Sequence, residues 1–219
     1  MRFEYIFWDW NGTLLDDAHI AHSAVNAMLS ARKLNKISFS QYRDYVDVPI
    51  IRFYERVMDI SKESMEDIAI EFNSLCQSLT PKDPHAKNAK ALLGSLNAAG
   101  VKQYIFSSSK TERILPALRE YGIDKYFASV LGANDSFAGS KAERTRDFIQ
   151  SNSINPQKCL FIGDLVHDCE TASLCGGECV LLSYGHQSKT KLLETGKRVF
   201  DSLLQLSEFL NINLQEAEQ

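Results

Sequence analysis

A chain of 219 residues, 44% hydrophobic and 24% charged, is long enough for one sizeable core plus a small extra module and too apolar for disorder. Its 24 Lys and Arg against 28 Asp and Glu give a net charge of -4, which excludes the electrostatic footprint of a nucleic-acid binder and a polybasic membrane patch, so the expected partner is a small molecule. Glu4 interrupts the apolar start and no long uncharged run follows, so no membrane segment and a cytoplasmic location are expected; the odd set Cys76, Cys159, Cys169, Cys175 and Cys179, with no Cys-x-x-Cys pair, reads as reduced thiols.

Apolar and aromatic residues from Phe3 to Trp8 read as a buried parallel strand. Asp9 then falls at its carboxyl end, where open α/β sheets collect ligands, followed by the turn Trp10-Asn11-Gly12-Thr13. The next seventy or so residues read as helices. Ala21, Val25, Met28 and Leu29 recur at helical spacing, as do Met65, Ile68, Phe72, Leu75, Cys76 and Leu79. Pro81 and Pro84 mark a return linker.

From there helix and strand alternate. A helix through Leu92, Leu93 and Leu96 ends at Gly100, the strand Val101 to Phe106 follows, and Ser109-Lys110-Thr111-Glu112 has the form of a capping box with Ser109 opening the next helix. A strand near 128–131, a helix from about Lys141 to Ser151, the strand Cys159 to Ile162, a helix through Ala172 and the strand Cys179 to Leu182 complete the pattern, and the polar tail 211–219 is expected to fray. This alternation predicts an α/β fold, a three-layer parallel sheet with helices on both faces, carrying a small inserted helical module. The core is expected over 1–15 and 83–219, and the insertion over 16–82.

Each strand end carries a chemical group: Asp9, Ser107 in Ser107-Ser108-Ser109-Lys110, Lys141 in Gly139-Ser140-Lys141, and Asp164 with Asp168 in Gly163-Asp164-Leu165-Val166-His167-Asp168. Parallel crossovers bring such ends to one edge of the sheet. These four motifs, in this order, resemble those of the haloacid-dehalogenase-like (HAD) phosphohydrolases, with a helical cap between the first and second motifs as in phosphoglycolate-phosphatase-like members. The resemblance implies a Rossmann-like core and a Mg²⁺-dependent phosphatase of small phosphorylated metabolites. Asp9 is then the nucleophile that forms an aspartyl-phosphate, Lys141 a charge partner, and Ser107, Ser108 and the turn residues Trp10 and Asn11 phosphate contacts. Asp9, Asp164, Asp168 and the backbone carbonyl of Asn11 are the implied metal ligands, the carboxylates being hard oxygen donors suited to Mg²⁺. Among the cap residues Arg43, Arg52, Arg56 and His22, Arg52 is the first choice for a substrate contact because it follows Val48-Pro49-Ile50-Ile51. His167 faces solvent from a first helical turn in the simpler reading.

The chain departs from the family at Asn11, where the pattern has a second aspartate acting as general acid and base. An amide cannot carry that proton, and such assistance is typically worth about a hundredfold to ten-thousandfold in rate. Three readings remain open: a phosphatase that tolerates Asn11; a phosphonate C–P bond hydrolase, which needs a Schiff-base lysine in the cap, where Lys33, Lys36 and Lys62 are available; and a phosphate-ligand binding or regulatory module with weak turnover.

Overall fold

The computed structural model of the protein describes residues 2–133 and 140–214; Gly139 of the third motif and residues 215–219 of the polar tail lie outside the described residues. Among the described residues, six strands form one parallel sheet: β1 (Tyr5–Trp8), β2 (Lys102–Lys110), β3 (Phe127–Ala133), β4 (Cys159–Gly163), β5 (Glu178–Leu182) and β6 (Arg198–Phe200). Their order is β3-β2-β1-β4-β5-β6. The chain builds outward from β1 on one side and then returns to lay β4 along its other side. That reversal is the topological switch point at which doubly wound sheets hold ligands, and it sets the carboxyl ends of β1, β2 and β4 side by side.

Side-chain alternation along the strands fills two separate cores. Between β1 and β2 come four helices, α1 (Ala18–Ala31), α2 (Phe39–Tyr45), α3 (Ile51–Val57) and α4 (Met65–Leu79). The sheet is then flanked by α5 (Ala89–Ala98), α6 (Thr111–Glu120), α7 (Lys141–Ser151), α8 (Val166–Cys175), α9 (Lys189–Glu194) and α10 (Leu203–Phe209). Ile6, Trp8, Leu160, Ile162, Val180 and Leu182 face α5, α6 and α10. Phe7, Phe161, Cys179 and Leu181 face α7, α8 and α9 from the other side. The Trp8 indole N–H, fully buried, donates to Gln103 Oε1 at 3.1 Å, and Gln103 Nε2 donates to the Leu93 carbonyl at 3.0 Å, so burial leaves neither polar group unpaired.

The first four helices have a core of their own, with Val25, Met28, Leu29, Tyr42, Phe53 and Ile68 at its centre. This helical insertion is pinned to the segment after β5. Arg43 donates to the carbonyls of Ser183 and Gln187, Gln187 Nε2 donates to the Val46 carbonyl at 3.0 Å, and Lys191 Nζ reaches the same carbonyl at 3.1 Å.

Two expectations need correction. Ser109 does not cap α6: β2 runs on to Lys110, the residue that precedes α6, and no side chain caps that helix. The Ser109 hydroxyl instead donates to Asn11 Oδ1 at 2.7 Å, a bond made possible by the register shift between Phe106 and Lys110 at the end of β2. The sheet also extends beyond the strand at 178–182 to a sixth strand, whose three residues are too few for periodicity to register.

All five cysteines are free. Burial pushes the Cys159 thiol up to about 12 and the Cys175 thiol up to about 11. At about pH 8 roughly one in a thousand or fewer of these thiols is ionised, and only the thiolate alkylates. Iodoacetamide labelling of the native protein at these two positions is expected to run at less than about one hundredth of the rate in denaturant; comparable rates, read by peptide mass spectrometry, would contradict this packing.

Candidate active site

β1 hands Asp9 to the sheet edge while still in register, its amide donating to the Ile162 carbonyl at 2.8 Å. The chain then turns sharply, with the amides of Leu14 and Leu15 both donating to the Trp10 carbonyl. Gly12 sits in this turn at φ +73°, and a Cβ there would lie 2.3 Å from Asp164 Oδ2. Only glycine meets both the backbone angle and the contact.

Three strand or helix ends converge on Asp9. Asp164 follows β4, Asp168 lies in the first turn of α8, and each offers a carboxylate oxygen within 4.8 Å of the others. Asp168 Oδ2 accepts the amides of Asp164 and Leu165, at 3.0 and 2.9 Å, which fixes its carboxylate across the helix start. Lys141, the first residue of α7, closes the cluster: Nζ lies 2.5 Å from Asp9 Oδ1 and 2.6 Å from Asp168 Oδ1, and 3.9 Å from the centre of the Phe106 ring. The capping box of Ser140 with Glu143 sets where α7 begins and so where Lys141 points.

The electrostatics follow from burial. Asp9 is 6% exposed and Asp164 and Asp168 are fully enclosed. Burial drives the Asp9 carboxyl up to about 8 even against the pull of Lys141, and drives Asp164 up to about 6. Burial also opposes the charge on Lys141, but Asp168 and then Asp9 outweigh it and raise its pKa. Three carboxylates facing one ammonium are short of positive charge. Their hard oxygens suit Mg²⁺, so the donor set fits the cation that the sequence implies.

Other sequence-derived residues divide. Ser107 is buried within β2, in the stretch where its register shifts, its hydroxyl accepting from the Ser109 amide at 3.0 Å and its carbonyl from Arg144 at 3.0 Å. Ser108 is exposed. Trp10 packs its ring on Tyr121 and belongs to the sheet core. The Asn11 side chain is held at both ends, by Ser109 and by Asp17, to whose Oδ2 its Nδ2 donates at 2.6 Å. Arg52 stands apart from the acids: it is exposed, and its partners are Asp47 and the Val48 carbonyl. Arg56 is exposed, Arg43 is used in pinning the insertion, and His22 is used inside it, with Nε2 at 2.8 Å from the Ile37 carbonyl. His167 pairs with Glu170 one turn along α8.

Sequence reasoning passed over Asp17 and His186. The His186 amide donates to Asp164 Oδ2 at 2.6 Å, its Nδ1 lies 2.8 Å from the Tyr42 hydroxyl, and its Nε2 lies 3.2 Å from Asp17 Oδ1. Burial disfavours a charged imidazole, but Asp17 outweighs it and carries His186 up to about 9. The sheet-edge rule, applied to the end of β5, would have flagged His186. Nothing in the local spacing marks Asp17.

Comparisons with known proteins agree with this architecture. The chain is 26% identical over 220 residues to a phosphoglycolate phosphatase of Vibrio parahaemolyticus, covering 95% of this chain and 96% of that protein. Among solved structures it is similar to a haloacid dehalogenase-like family hydrolase of Streptococcus pneumoniae, with a TM-score of 0.78 at 18% identity over 95% of this chain and 99% of that one. It is also similar to CbbY of Rhodobacter sphaeroides in complex with phosphate, with a TM-score of 0.73 at 17% identity over 93% and 96% of the two chains. The sequence model of the haloacid dehalogenase-like hydrolases matches residues 6–182, from β1 through the acid cluster to the end of β5, and the chain belongs to that family.

Proposed function

We propose that this hydrolase cleaves a small phosphomonoester by way of an aspartyl-phosphate on Asp9, with Mg²⁺ held by Asp9, Asp164 and Asp168. The observation that carries this reading is the buried trio of carboxylates clamped by Lys141 at the switch point of the sheet. Asp9 attacks phosphorus, and splitting the displacement into two steps lowers each barrier. Lys141 holds Asp9 in place and sets a fixed positive charge beside the transferring group, while Ser107 and the backbone amides after Asp9, other than that of Gly12, which goes to Asp17 Oδ1, donate hydrogen bonds to it. Bound Mg²⁺ supplies the further positive charge that a dianionic phosphate needs next to three carboxylates.

The helical insertion, proposed as a cap over residues 16–82, shields this edge from water and selects the rest of the substrate. The phosphoglycolate phosphatase relative and the phosphate complex of CbbY both support a small phosphorylated substrate. For C–P cleavage, a Schiff-base lysine requires burial or a nearby cation to lower its pKa, and Lys33, Lys36 and Lys62 are all exposed, which favours the phosphomonoester.

The test is phosphate release from a panel that includes 2-phosphoglycolate, alkyl phosphates and nucleoside monophosphates, with Mg²⁺ and with chelator. Metal-dependent release is expected. The same cation should raise the thermal midpoint, by about 2.7 kcal/mol of added stability at a concentration a hundred times its Kd. Turnover unaffected by chelator, or no thermal shift with Mg²⁺, would remove the metal from the proposal.

A further inference from the structure

We propose that Gln187 is a positioning residue that couples the seating of the helical insertion to the placement of the acid-bearing turn from Asp164 to Asp168. The inference rests on the Mg²⁺-dependent reading above and concerns how the chain holds that site together. Gln187 lies between β5 and α9 and is 3% exposed. A buried side-chain amide needs partners for both its oxygen and its nitrogen, and here the two go to different parts of the molecule. Oε1 accepts from the Val166 amide at 2.8 Å, and Nε2 donates to the Val46 carbonyl at 3.0 Å.

Val166 is the first residue of α8, where a backbone amide has no partner within its own helix. The two amides before it, of Asp164 and Leu165, donate to Asp168 Oδ2. Three consecutive amides of the turn are therefore fixed, two by a carboxylate of the acid cluster and the third by Gln187. The side chains of the turn divide in a similar way. Val166 packs against the sheet core that holds Phe7 and Phe161, whereas Leu165 packs against the core of the insertion. The turn that carries two of the three acids thus straddles the boundary between sheet and insertion.

On the other side of Gln187, Val46 directly follows α2 and is buried. Its carbonyl also accepts from Lys191 Nζ at 3.1 Å, and the Gln187 carbonyl accepts from Arg43 at 2.6 Å. One residue therefore bonds the insertion through both its backbone and its side chain. Lifting the insertion from this seat takes the Val46 carbonyl from Nε2 and the apolar cover from Leu165 together. Gln187 is then held at one end only, and the Val166 amide loses a fixed acceptor. Coupling of this kind is reciprocal: whatever fixes the turn also favours the seated insertion. A cation held by Asp164 and Asp168 fixes the turn, so its binding is felt at α2.

The experiment reads backbone hydrogen exchange in the wild type and in Gln187→Met, with Mg²⁺ alone and with chelator. Methionine keeps the volume and removes both side-chain hydrogen bonds. In the wild type, Mg²⁺ is expected to slow exchange of the amides at 164–168 and also, by about fivefold or more, of those at 42–46. In Gln187→Met the response at 164–168 persists and that at 42–46 falls to less than about twofold, while the Kd for Mg²⁺, from calorimetric titration, rises about tenfold. An unchanged response at 42–46 in the variant, or an unchanged Kd, marks a packing role and overturns the proposal. If Gln187→Met does not fold, Gln187→Asn, one methylene too short to reach both partners, is read for the same two losses. A wild type that binds Mg²⁺ with no effect at 42–46 overturns this inference alone; a wild type that does not bind Mg²⁺ overturns the metal reading and this inference together.

Discussion

Replacing Lys141 with methionine is expected to cost about 3–5 kcal/mol of stability in chelator, a fall of about 6–20 °C in Tm for a chain of this size. The side chain is 4% exposed and bonded to two carboxylates, Asp9 and Asp168, that are themselves 9% and 0% exposed. Methionine fills the volume but leaves both carboxyl groups without their cation, and the penalty comes from those unpaired charges. Mg²⁺ should recover part of the loss, because it places positive charge in the same cluster. Arginine is not a substitute, since its planar fork does not fit a site built around a single ammonium. Differential scanning calorimetry with and without Mg²⁺ decides this; a fall of less than about 1 kcal/mol would mean that the carboxylates do not depend on Lys141.

Asp9→Asn is expected to do the opposite, ending catalysis while sparing the fold. Loss of the nucleophile removes the covalent route, and phosphate release should drop by about ten-thousandfold or more. Stability in chelator should hold or rise. Burial lifts the Asp9 carboxyl from 3.8 to about 8. A carboxyl with a folded-state pKa above its unfolded value adds stability that is present below the unfolded value and lost as pH rises through the folded one. The amide carries no such titration, so any gain in Tm over wild type should grow across that window. Retention of more than about one hundredth of wild-type turnover would place the nucleophile elsewhere.

The two substitutions show how unequal the parts of one site are. Lys141 compensates charge that the fold has already buried, whereas Asp9 is itself a charge that burial disfavours. A set of groups held against its own electrostatic preference is more often functional than structural.

Several features were legible before any coordinates. The apolar run from Phe3 to Trp8 reads as a buried parallel strand with Asp9 at its end, and β1 lies within it. Lys141 opens α7 where the helix is expected to start, and the short spacing of Asp164 and Asp168 marks both, although Asp164 lies ahead of α8 and the two meet because Asp168 Oδ2 accepts the Asp164 amide at the helix start. In each case a local rule, of periodicity or short spacing, acts within a few residues. Ser109 misled for the same reason: its spacing to Glu112 satisfies the local capping pattern, and only the approach of Asn11, 98 residues away, draws its hydroxyl off.

The parallel sheet, its alternating helices and the run of helices between β1 and β2 are all readable from the chain, because backbone periodicity and burial of apolar faces are local and cumulative. The tertiary structure alone decided what surrounds Asn11. Asp17 and His186 are 169 residues apart, each unremarkable in its own segment, and they meet because the turn after β1 and the segment after β5 converge at the same edge of the sheet. Hydrogen bonds between side chains so far apart in the chain leave no periodic trace; they exist only once chain crossing and strand order have placed their partners within about 3 Å.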